Sequence, residues 1–307
     1  MKRTLFLILL LGLVMLIPSA IAQEGDTRQL NVRITVEPDE IPQGRMGMVH
    51  VLPLGDVDIE SIQATFLGKV FALYPSLDGD WVGFLGVDMS AARGEQPLDV
   101  YITVEDDPQP YRERLNVPVV WGSFTYQDIV LPNNLVPLLD RNVNLDEFNE
   151  LVRVYDRITN ERFFNFFNSP IEPPVIISEF GGVRDYNNGT LTGQRHTGID
   201  FRANTGAEVA VAADGRVIFS QRLPIHGNHI IVDHGWGILT GYSHLSERLV
   251  VPGQLVRQGE TIGLVGATGR VQGPHLHFEV VVNGYWVDPA QFLDLELPPS
   301  IPDELRQ

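Results

Sequence analysis

Short segments in which apolar and polar side chains alternate recur along the first third of this chain of 307 residues. The clearest are 30–36, 98–104 and 115–119, in which every second residue is Leu, Val or Ile. A period of two places alternate side chains on opposite faces of a strand. Further strands, bounded by Gly, Pro and Asp, are predicted at 45–52, 61–67, 69–74 and 81–87. Roughly seven short strands predict an immunoglobulin-like β-sandwich, which we assign to residues 23–125.

The next segment, 126–172, changes to a helical period and is interpreted as a helical connector. Asn144, with Glu147 three residues later, predicts a capping box at the start of a helix. The apolar residues that recur at helical spacing are Phe148, Leu151, Val152, Tyr155 and Ile158. This stripe indicates core or interdomain packing more than a functional surface. The prolines that predict the end of the connector are Pro170, Pro173 and Pro174.

From residue 173 the chain returns to a β pattern rich in Gly, with almost no helix indicated. Strands are predicted at 175–177, 207–212, 216–219, 229–232, 237–242, 261–265 and 275–282. We therefore expect a mostly β protein whose second domain spans 173–295, followed by a tail, 296–307. The run 251–263 resembles the turn-rich segments of lipoyl-type barrels. A carrier domain is excluded, because the second domain contains no Lys to bear lipoate or biotin.

The N-terminus has the three parts of a secretory signal. Lys2 and Arg3 precede an apolar run at 5–17, and Ala20-Ile21-Ala22 offers a cleavage site. We interpret residues 1–22 as a signal peptide of an exported protein; if it is not cleaved, the same run would serve as a membrane anchor. No later segment is long and apolar enough to predict a membrane span.

Charge and cysteine content exclude several classes of protein. The formal net charge is −17, and removal of residues 1–22 leaves about −19. Nucleic acid is excluded as a partner, because neutralising phosphates needs clustered Lys and Arg. The chain has no Cys, so disulfides, thiolate metal sites and the lipid attachment of exported lipoproteins are excluded as well.

Two histidine motifs stand out in the second domain, which holds seven of the eight His residues. His196 precedes Asp200 by four positions, and His275 and His277 flank a single residue in a predicted strand. The period of a strand places His275 and His277 on one face. Two His, one Asp and an open position for water are the composition of a catalytic zinc site.

The motifs RHTGIDF, GNHIIVDHG, GYSHL, GATG and GPHLHFEV follow one another in this region. In order and spacing, residues 171–293 resemble the lysostaphin/LytM family of zinc endopeptidases. The resemblance implies a largely antiparallel β-sheet with a groove over the metal, and cleavage of peptide bonds in bacterial peptidoglycan. Carried over by position, it implies that His196, Asp200 and His277 bind Zn²⁺. It also implies that His244 and His275 are a catalytic pair that does not bind the metal.

The chemistry of these residue types agrees with that implication. Zinc lowers the pKa of a bound water to about 7 and polarises a carbonyl. A neutral His can take the proton of that water and pass it to the leaving amine, and a second His can donate to the oxyanion. The sequence leaves open which of His244 and His275 is the base.

The remaining polar residues have weaker functional interpretations. Residues interpreted as structural, groove-lining or turn residues are His50, His226, His229, His234, Asn228 and Thr268. Glu279 shares a strand face with His277, which predicts a partner that orients an imidazole. Some members of the family have a Tyr shortly before the first ligand; the nearest here is Tyr186, so the sequence does not support assistance by tyrosine.

The predicted function is that of an exported zinc endopeptidase acting on peptidoglycan peptides. The alternative is a non-catalytic regulatory or wall-binding protein that activates other wall hydrolases. The presence of all three ligands and both catalytic His favours the enzyme. The predicted sandwich could bind the wall or a partner, or it could cover the groove and hold the enzyme inactive. The bond that is cleaved and the oligomeric state stay open.

Overall fold

The computed structural model of the protein describes residues 30–293. The predicted signal peptide, 1–22, and the predicted tail, 296–307, lie outside the described residues. The first region contains eight strands: β1 (Val32–Glu37), β2 (Ile41–Pro42), β3 (Met46–Pro53), β4 (Ile59–Phe66), β5 (Lys69–Pro75), β6 (Trp81–Gly86), β7 (Gly94–Val104) and β8 (Asp107–Val120). Each of the strands predicted between residues 30 and 119 overlaps one of them, so the period of two is confirmed as a β signal.

These strands hydrogen-bond in the order β1-β3-β6-β5-β4-β7-β8-β2, antiparallel throughout except for the parallel pair β2–β8. The alternating apolar residues form or pack against one common core, in which Val49, Ile62, Leu98 and Val117 are all at most 1% exposed, whereas those of 30–36 are only partly buried. The region is thus a β domain with a core of its own. Its immunoglobulin-like topology stays a prediction, as do the domain boundaries.

The connector contains both strand and helix. It begins with β9 (Tyr126–Ile129), continues through a 3-10 helix (Asn133–Leu139) and ends with α1 (Arg141–Tyr155). Asp140 is the N-cap of α1, and its side chain accepts from the N–H groups of Asn142 and Val143. The predicted capping box of Asn144 and Glu147 is therefore wrong. Both residues lie inside the helix, where Glu147 is buried and has partners in the second domain.

The second domain is β-rich, as predicted. Its elements are β10 (Ile176–Ser178), β11 (Val183–Tyr186), β12 (Leu191–Arg195), β13 (Ile199–Phe201), β14 (Glu208–Ala210), β15 (Gly215–Leu223), β16 (Gly227–Gly235), β17 (Ile238–Arg248), β18 (Leu255–Val256), β19 (Thr261–Val265), β20 (Leu276–Val282), β21 (Tyr285–Val287) and the short α2 (Ala290–Leu293). All seven predicted strands overlap observed ones. Those not predicted, including β11 to β13, are at most five residues long.

The main sheet of this domain has the order β10-β13-β20-β17-β16-β15-β18, and its neighbouring strands are antiparallel. β20 lies between β13 and β17, and all seven of its residues are buried. A separate three-stranded sheet joins β12, β11 and the connector strand β9, with β9 and β11 parallel. The connector is therefore hydrogen-bonded into the second domain.

The first and second domains pack against each other through a continuous buried interface. The ring of Tyr74 stacks on Trp236 with centroids 4.4 Å apart. Asn283 donates through Nδ2 to the carbonyl oxygen of Phe84 at 2.7 Å, and Gln291 pairs with both backbone groups of Met46. Burial of aromatic surface together with satisfied backbone groups stabilises a fixed arrangement of the two domains.

Within residues 30–293, none of the helices has the length and apolar character that crossing a membrane requires.

Candidate active site

Three adjacent strands bring the two histidine motifs together. Asp200 on β13 lies opposite His277 on β20 in the antiparallel register. On the other side of β20, His277 lies opposite Ser243 on β17, which precedes His244. His196 lies in the turn before β13, four residues from Asp200. Residues from segments about 80 positions apart thus meet because β20 is paired on both of its edges.

The three predicted ligands converge on one point. Oδ1 of Asp200 lies 2.9 Å from Nε2 of His196 and 2.9 Å from Nδ1 of His277. The two imidazole nitrogens are 3.0 Å apart. Two imidazole nitrogens and one carboxylate oxygen, all from buried residues, match the donor set that zinc prefers. Such a set suits a single ion with room for a further ligand.

The electrostatics of this cluster favour a cation at its centre. Burial lowers the pKa of His196 to about 4, although Asp200 opposes this shift. Burial raises the pKa of Asp200, but the charges and hydrogen bonds of His196 and His277 outweigh it and hold that pKa well below its usual range. The pKa of His277 is raised, because Asp200 and Glu279 overcome the effect of burial. A proton and a metal ion compete for the same imidazole nitrogen. The carboxylates that favour a proton on His277 therefore also favour a metal cation there.

Each of the two predicted His ligands has a further contact on the side away from the cluster. Nδ1 of His196 donates to the carbonyl oxygen of Glu179 at 2.7 Å, because that oxygen can only accept. Nε2 of His277 lies 3.3 Å from Oε1 of Glu279, in an ion pair whose angle falls outside hydrogen-bond geometry. Contacts of this kind fix the tautomer and the ring orientation of metal-binding His. As predicted, Glu279 lies beside an imidazole, that of His277, and its carboxylate is buried.

His244 and His275 lie together beside this cluster, with ring centroids 4.9 Å apart. Nδ1 of His244 donates to the carbonyl oxygen of Thr268, and Nδ1 of His275 to that of Gly273, both at 2.9 Å. In the neutral form each Nε2 is therefore an acceptor. Nε2 of His275 lies 3.7 Å from Oδ1 of Asp200. Burial is the main cause that lowers the pKa of both His residues, so both are neutral at pH 7.

The backbone at His244 has an unusual conformation. Its φ is 64°, in the left-handed region that residues other than Gly rarely adopt. Asn228 and Thr268 hold the loops around it: Asn228 donates to the carbonyls of Leu245 and Ser246, and Thr268 to that of Leu245. Strain of this kind persists at sites where surrounding contacts over-determine it. The two predicted turn residues therefore help to fix the position of the His244 ring.

A groove with two cavities runs past the cluster. Residues that line both cavities are Arg184, Tyr186, His244 and Arg270. The first cavity is bounded by α1 through Asn144, Glu147, Phe148 and Leu151, and the second by the segment 127–131. Among the residues that the structure describes, those lining the two cavities come from the connector and the second domain. The connector, and not the first β domain, forms the wall of the groove.

Contacts from Arg270 join the two sides of the groove. Its guanidinium lies over the ring of Tyr186, 4.6 Å from the centroid, and donates to Oδ1 of Asn144 at 2.6 Å. Phe148, which was predicted to lie in a packing stripe, is half exposed and stacks on Trp286 beside the first cavity. The apolar stripe of α1 thus faces the groove as well as the interface with the second domain. The helical period predicts that these residues share a face, but not what that face contacts.

The other histidines have structural surroundings. His234 donates from Nδ1 to the carbonyl of Asp214 and contacts Thr240, and His229 contacts Ser243. His50 lies on β3 beside Asp80. His226 lines the first cavity between Glu147 and Glu279. Burial lowers the pKa of His226, but these two carboxylates outweigh burial and raise it overall.

Four residues that the sequence did not single out for the site now stand close to it. Glu147 and Tyr155 belong to α1, and Arg184 and Arg270 line both cavities of the groove. The sequence did mark Glu147, but as the second residue of a capping box, which predicted a partner within its own helix. No local pattern marks the others, because their partners lie between 16 and 126 residues away.

Comparison with known proteins agrees with this geometry. The model of peptidase family M23 matches residues 194–289. The peptidoglycan DD-endopeptidase ShyB of Vibrio cholerae serotype O1 is 41% identical over 153 residues, which cover 48% of this chain and 35% of ShyB. The DD-carboxypeptidase/endopeptidase Mpg of Neisseria meningitidis is 46% identical over 99 residues, covering 32% of this chain and 23% of Mpg. The chain thus spans only about a third or less of the length of these relatives.

The structural similarity extends further along the chain. The crystal structure of a Pseudomonas aeruginosa protein of the M23 peptidase type matches with a TM-score of 0.61 at 26% identity. The match covers 82% of this chain and 93% of that protein, so it extends beyond residues 194–289. The predicted resemblance to lysostaphin-type zinc peptidases is confirmed, and the converging His and Asp donors agree with a zinc cofactor. Residues 194–289, within the predicted second domain, are a domain of peptidase family M23.

Proposed function

We propose that this chain is an exported zinc-dependent endopeptidase that hydrolyses peptide bonds in peptidoglycan. The observation that carries the proposal is the convergence of His196, Asp200 and His277 to within 3.0 Å, beside the neutral pair His244 and His275. Relatives called peptidoglycan DD-endopeptidases are 40–42% identical to this chain. Their names support the D,D-cross-link between stem peptides as the bond that is cleaved.

In this proposal His196, Asp200 and His277 hold the zinc ion. A zinc ion in such a set lowers the pKa of a bound water to about 7 and polarises the scissile carbonyl. The ligand rings are held from behind by Glu179 and Glu279, so they do not need to reorient during the reaction. Substrate lies in the groove between the connector and the loop 268–275.

His244 and His275 move the proton. Each Nδ1 donates to a backbone carbonyl, so each Nε2 has a free lone pair. One of them takes a proton from the attacking water at Nε2 and becomes an imidazolium. The same Nε2–H then gives its proton to the leaving amine, which restores the neutral ring. The two rings have equivalent anchors, so the geometry leaves open which of them is the base.

Purified sacculi provide the test. The protein is incubated with sacculi with and without a zinc chelator, and the released fragments are identified by mass spectrometry. We expect stem peptides separated at D,D-cross-links, and no release with the chelator. Release of glycan fragments with intact cross-links, or release that the chelator leaves unchanged, would contradict the proposal.

Variants separate the two groups of residues. His196→Ala is expected to abolish stoichiometric zinc binding and hydrolysis together. His244→Ala and His275→Ala should each lower the rate by about 100-fold or more, because general acid–base catalysis contributes that much, and should retain the metal. A His275→Ala protein that hydrolyses sacculi at the normal rate rules out the assignment of that residue.

The alternative of a non-catalytic regulator predicts the opposite result. Such a protein needs neither the three metal donors nor the two adjacent imidazoles, all five of which line the groove. It would stimulate a second hydrolase on sacculi while releasing nothing itself. Stimulation that persists in His196→Ala would favour this alternative.

A further inference from the structure

Glu279 lies at the centre of a buried polar network behind the metal donors. Its carboxylate is fully buried, and among the described residues it contacts one of the proposed ligands, His277, across 3.3 Å. No acceptor among residues 30–293 forms an aligned hydrogen bond with Nε2 of His277. Glu279 is therefore the group available to hold that ring from behind. How firmly it does so depends on what fixes the carboxylate itself.

Two hydroxyl groups fix the carboxylate of Glu279. Thr197 donates to Oε1 through a short hydrogen bond. Tyr155 donates to Oε2 at 2.9 Å, and both residues of this second bond are buried. A hydrogen bond to a carboxylate is stronger than one between neutral groups, above all where water is excluded. The orientation of the carboxylate is thus determined from two sides.

The sheet leaves a space for the hydroxyl of Tyr155. Gly241 on β17 lies opposite Glu279 on β20. A Cβ added to Gly241 would stand 2.2 Å from the hydroxyl oxygen of Tyr155 and 2.8 Å from Oε2 of Glu279. Any larger residue at this position would therefore push the hydroxyl out. The contact between the connector and the sheet therefore requires Gly at position 241. The requirement comes from this lack of space, because the φ of Gly241 is not in the left-handed region that favours glycine.

Tyr155 comes from outside the segment that matches the family. It is the last residue of α1, and the match begins at residue 194. Its ring packs edge-on against Trp286, which holds the helix end against the second domain. We propose that Tyr155 is a positioning residue for the metal site, acting through Glu279 on the ligand His277. The connector helix is then a necessary part of the site, and this inference rests on the proposed zinc site.

Zinc affinity of the full-length protein tests the inference without any substrate. We expect Tyr155→Phe to weaken zinc binding about tenfold in competition with a chromophoric chelator, since partners behind a metal ligand typically contribute 10–100-fold. Glu279→Gln should weaken binding at least as much. The double variant should be little worse than Glu279→Gln alone, because both changes interrupt the same chain of contacts.

Tyr74→Phe is the matched control. Tyr74 is buried between the first and second domains, and its hydroxyl donates to Oδ1 of Asn160 at 3.1 Å. The variant loses the same atom from a different buried interface of the second domain and should bind zinc as the wild type does. If Tyr74→Phe and Tyr155→Phe weaken binding equally, general loosening of the packing around the second domain explains the effect and the inference fails.

A spectroscopic reading distinguishes positioning from stability. The visible absorption bands of the Co²⁺-substituted protein report the geometry of the donors. We expect these bands to change in Tyr155→Phe and to stay unchanged in Tyr74→Phe. A Tyr155→Phe protein with wild-type bands and wild-type zinc affinity overturns the inference.

Activity assays separate this inference from the proposed function. Tyr155→Phe should lower kcat with little change in KM, because the groove that binds substrate is intact. If the wild type binds zinc but does not cleave peptidoglycan, the proposed function fails, and the affinity test of Tyr155 still stands. If the wild type binds no zinc, both fail.

Discussion

Nη2 of Arg184 lies 3.1 Å from Oδ2 of Asp200, while Oδ1 of the same carboxylate faces His196 and His277. The guanidinium also donates to Gln127 through Nε and to Ser178 through Nη2. Its position is thus fixed by three acceptors, one of them on the connector strand β9. The carboxylate is held so that one oxygen is turned toward the proposed metal and the other away from it.

We expect Arg184→Gln to weaken zinc binding about tenfold or more, since it frees the carboxylate to rotate. Arg184→Lys should have an intermediate affinity, because an ammonium group keeps the charge but lacks the planar fork that reaches several acceptors. Chelator competition measures both variants. Arg222→Gln, at an exposed position, is the control and should bind as the wild type does. Unchanged affinity in Arg184→Gln would remove Arg184 from the site.

The carboxylate of Glu147 stabilises the position of α1 against the second domain. It accepts from the backbone N–H groups of Ile225 and His226 at 2.5 Å and 2.9 Å, and contacts Nδ1 of His226. We expect Glu147→Ala to lower the free energy of unfolding by about 3 kcal/mol, because it leaves two half-buried N–H groups without their acceptor and removes one of the two carboxylates beside His226. Denaturant unfolding measures this change.

Asp146→Ala is the control for that experiment. Asp146 precedes Glu147 on the same helix and is exposed. Its replacement should change the free energy of unfolding by at most about 0.5 kcal/mol. Equal effects of the two replacements would show that helix propensity, and not the contact with residues 225 and 226, determines the cost.

His234 should make the protein less stable in acid. Burial lowers its folded-state pKa to about 4, against 6.5 for the free side chain. Between these values the unfolded chain binds a proton that the folded protein does not, so stability falls as pH falls from 6.5 to about 4. The loss attributable to this group is about 3 kcal/mol at the lower end.

Urea unfolding at pH 7 and at pH 4.5, with metal chelated, tests this prediction. His234→Gln removes the titrating group, so its stability should decrease less between the two pH values than that of the wild type. The variant will be less stable at pH 7, because its hydrogen bonds to Asp214 and Thr240 change. An equal decrease in both proteins would mean that His234 does not contribute.

Zinc should raise the unfolding temperature. The three donors meet only in the folded chain, so an ion bound there stabilises the folded state by about 2.7 kcal/mol at a free concentration 100 times its Kd. His196→Ala should lose this shift. His275→Ala should keep it, because Nε2 of His275 is 3.7 Å from the nearest carboxylate oxygen of the cluster and its ring is held by Gly273. A shift that survives in His196→Ala would contradict the proposed ligand set.

Much of the fold was predictable because it rests on local periodicity. Every predicted strand in both domains overlaps an observed one, since alternation of Leu, Val and Ile with polar residues buries one face whatever the partner. The unpredicted strands β11, β12 and β13 are only three to five residues long, too short to show a period. β11 and β13 are stabilised by pairing with β9 and β20, which lie far away in the sequence, and β12 pairs with β11.

The capping box shows where local rules failed. Asn144 and Glu147 have the correct spacing, but Asp140 is free to cap the helix and both later residues have stronger partners elsewhere. The buried carboxylate of Glu147 is stabilised more by hydrogen bonds from the backbone N–H groups of Ile225 and His226 than it would be by an exposed helix end. Tertiary contacts thus overrode a local preference.

The sequence by itself determined the chemistry of this protein: two His motifs carry the donors for zinc, and alternation places them in a β domain. Only the tertiary structure decided what surrounds those donors. Arg184, Glu147 and Tyr155 are ordinary residues in their local context, and their roles arise because strand pairing and the packing of α1 bring distant segments together. A motif records which atoms can bind a metal, whereas the groups that orient those atoms are specified by contacts across the fold.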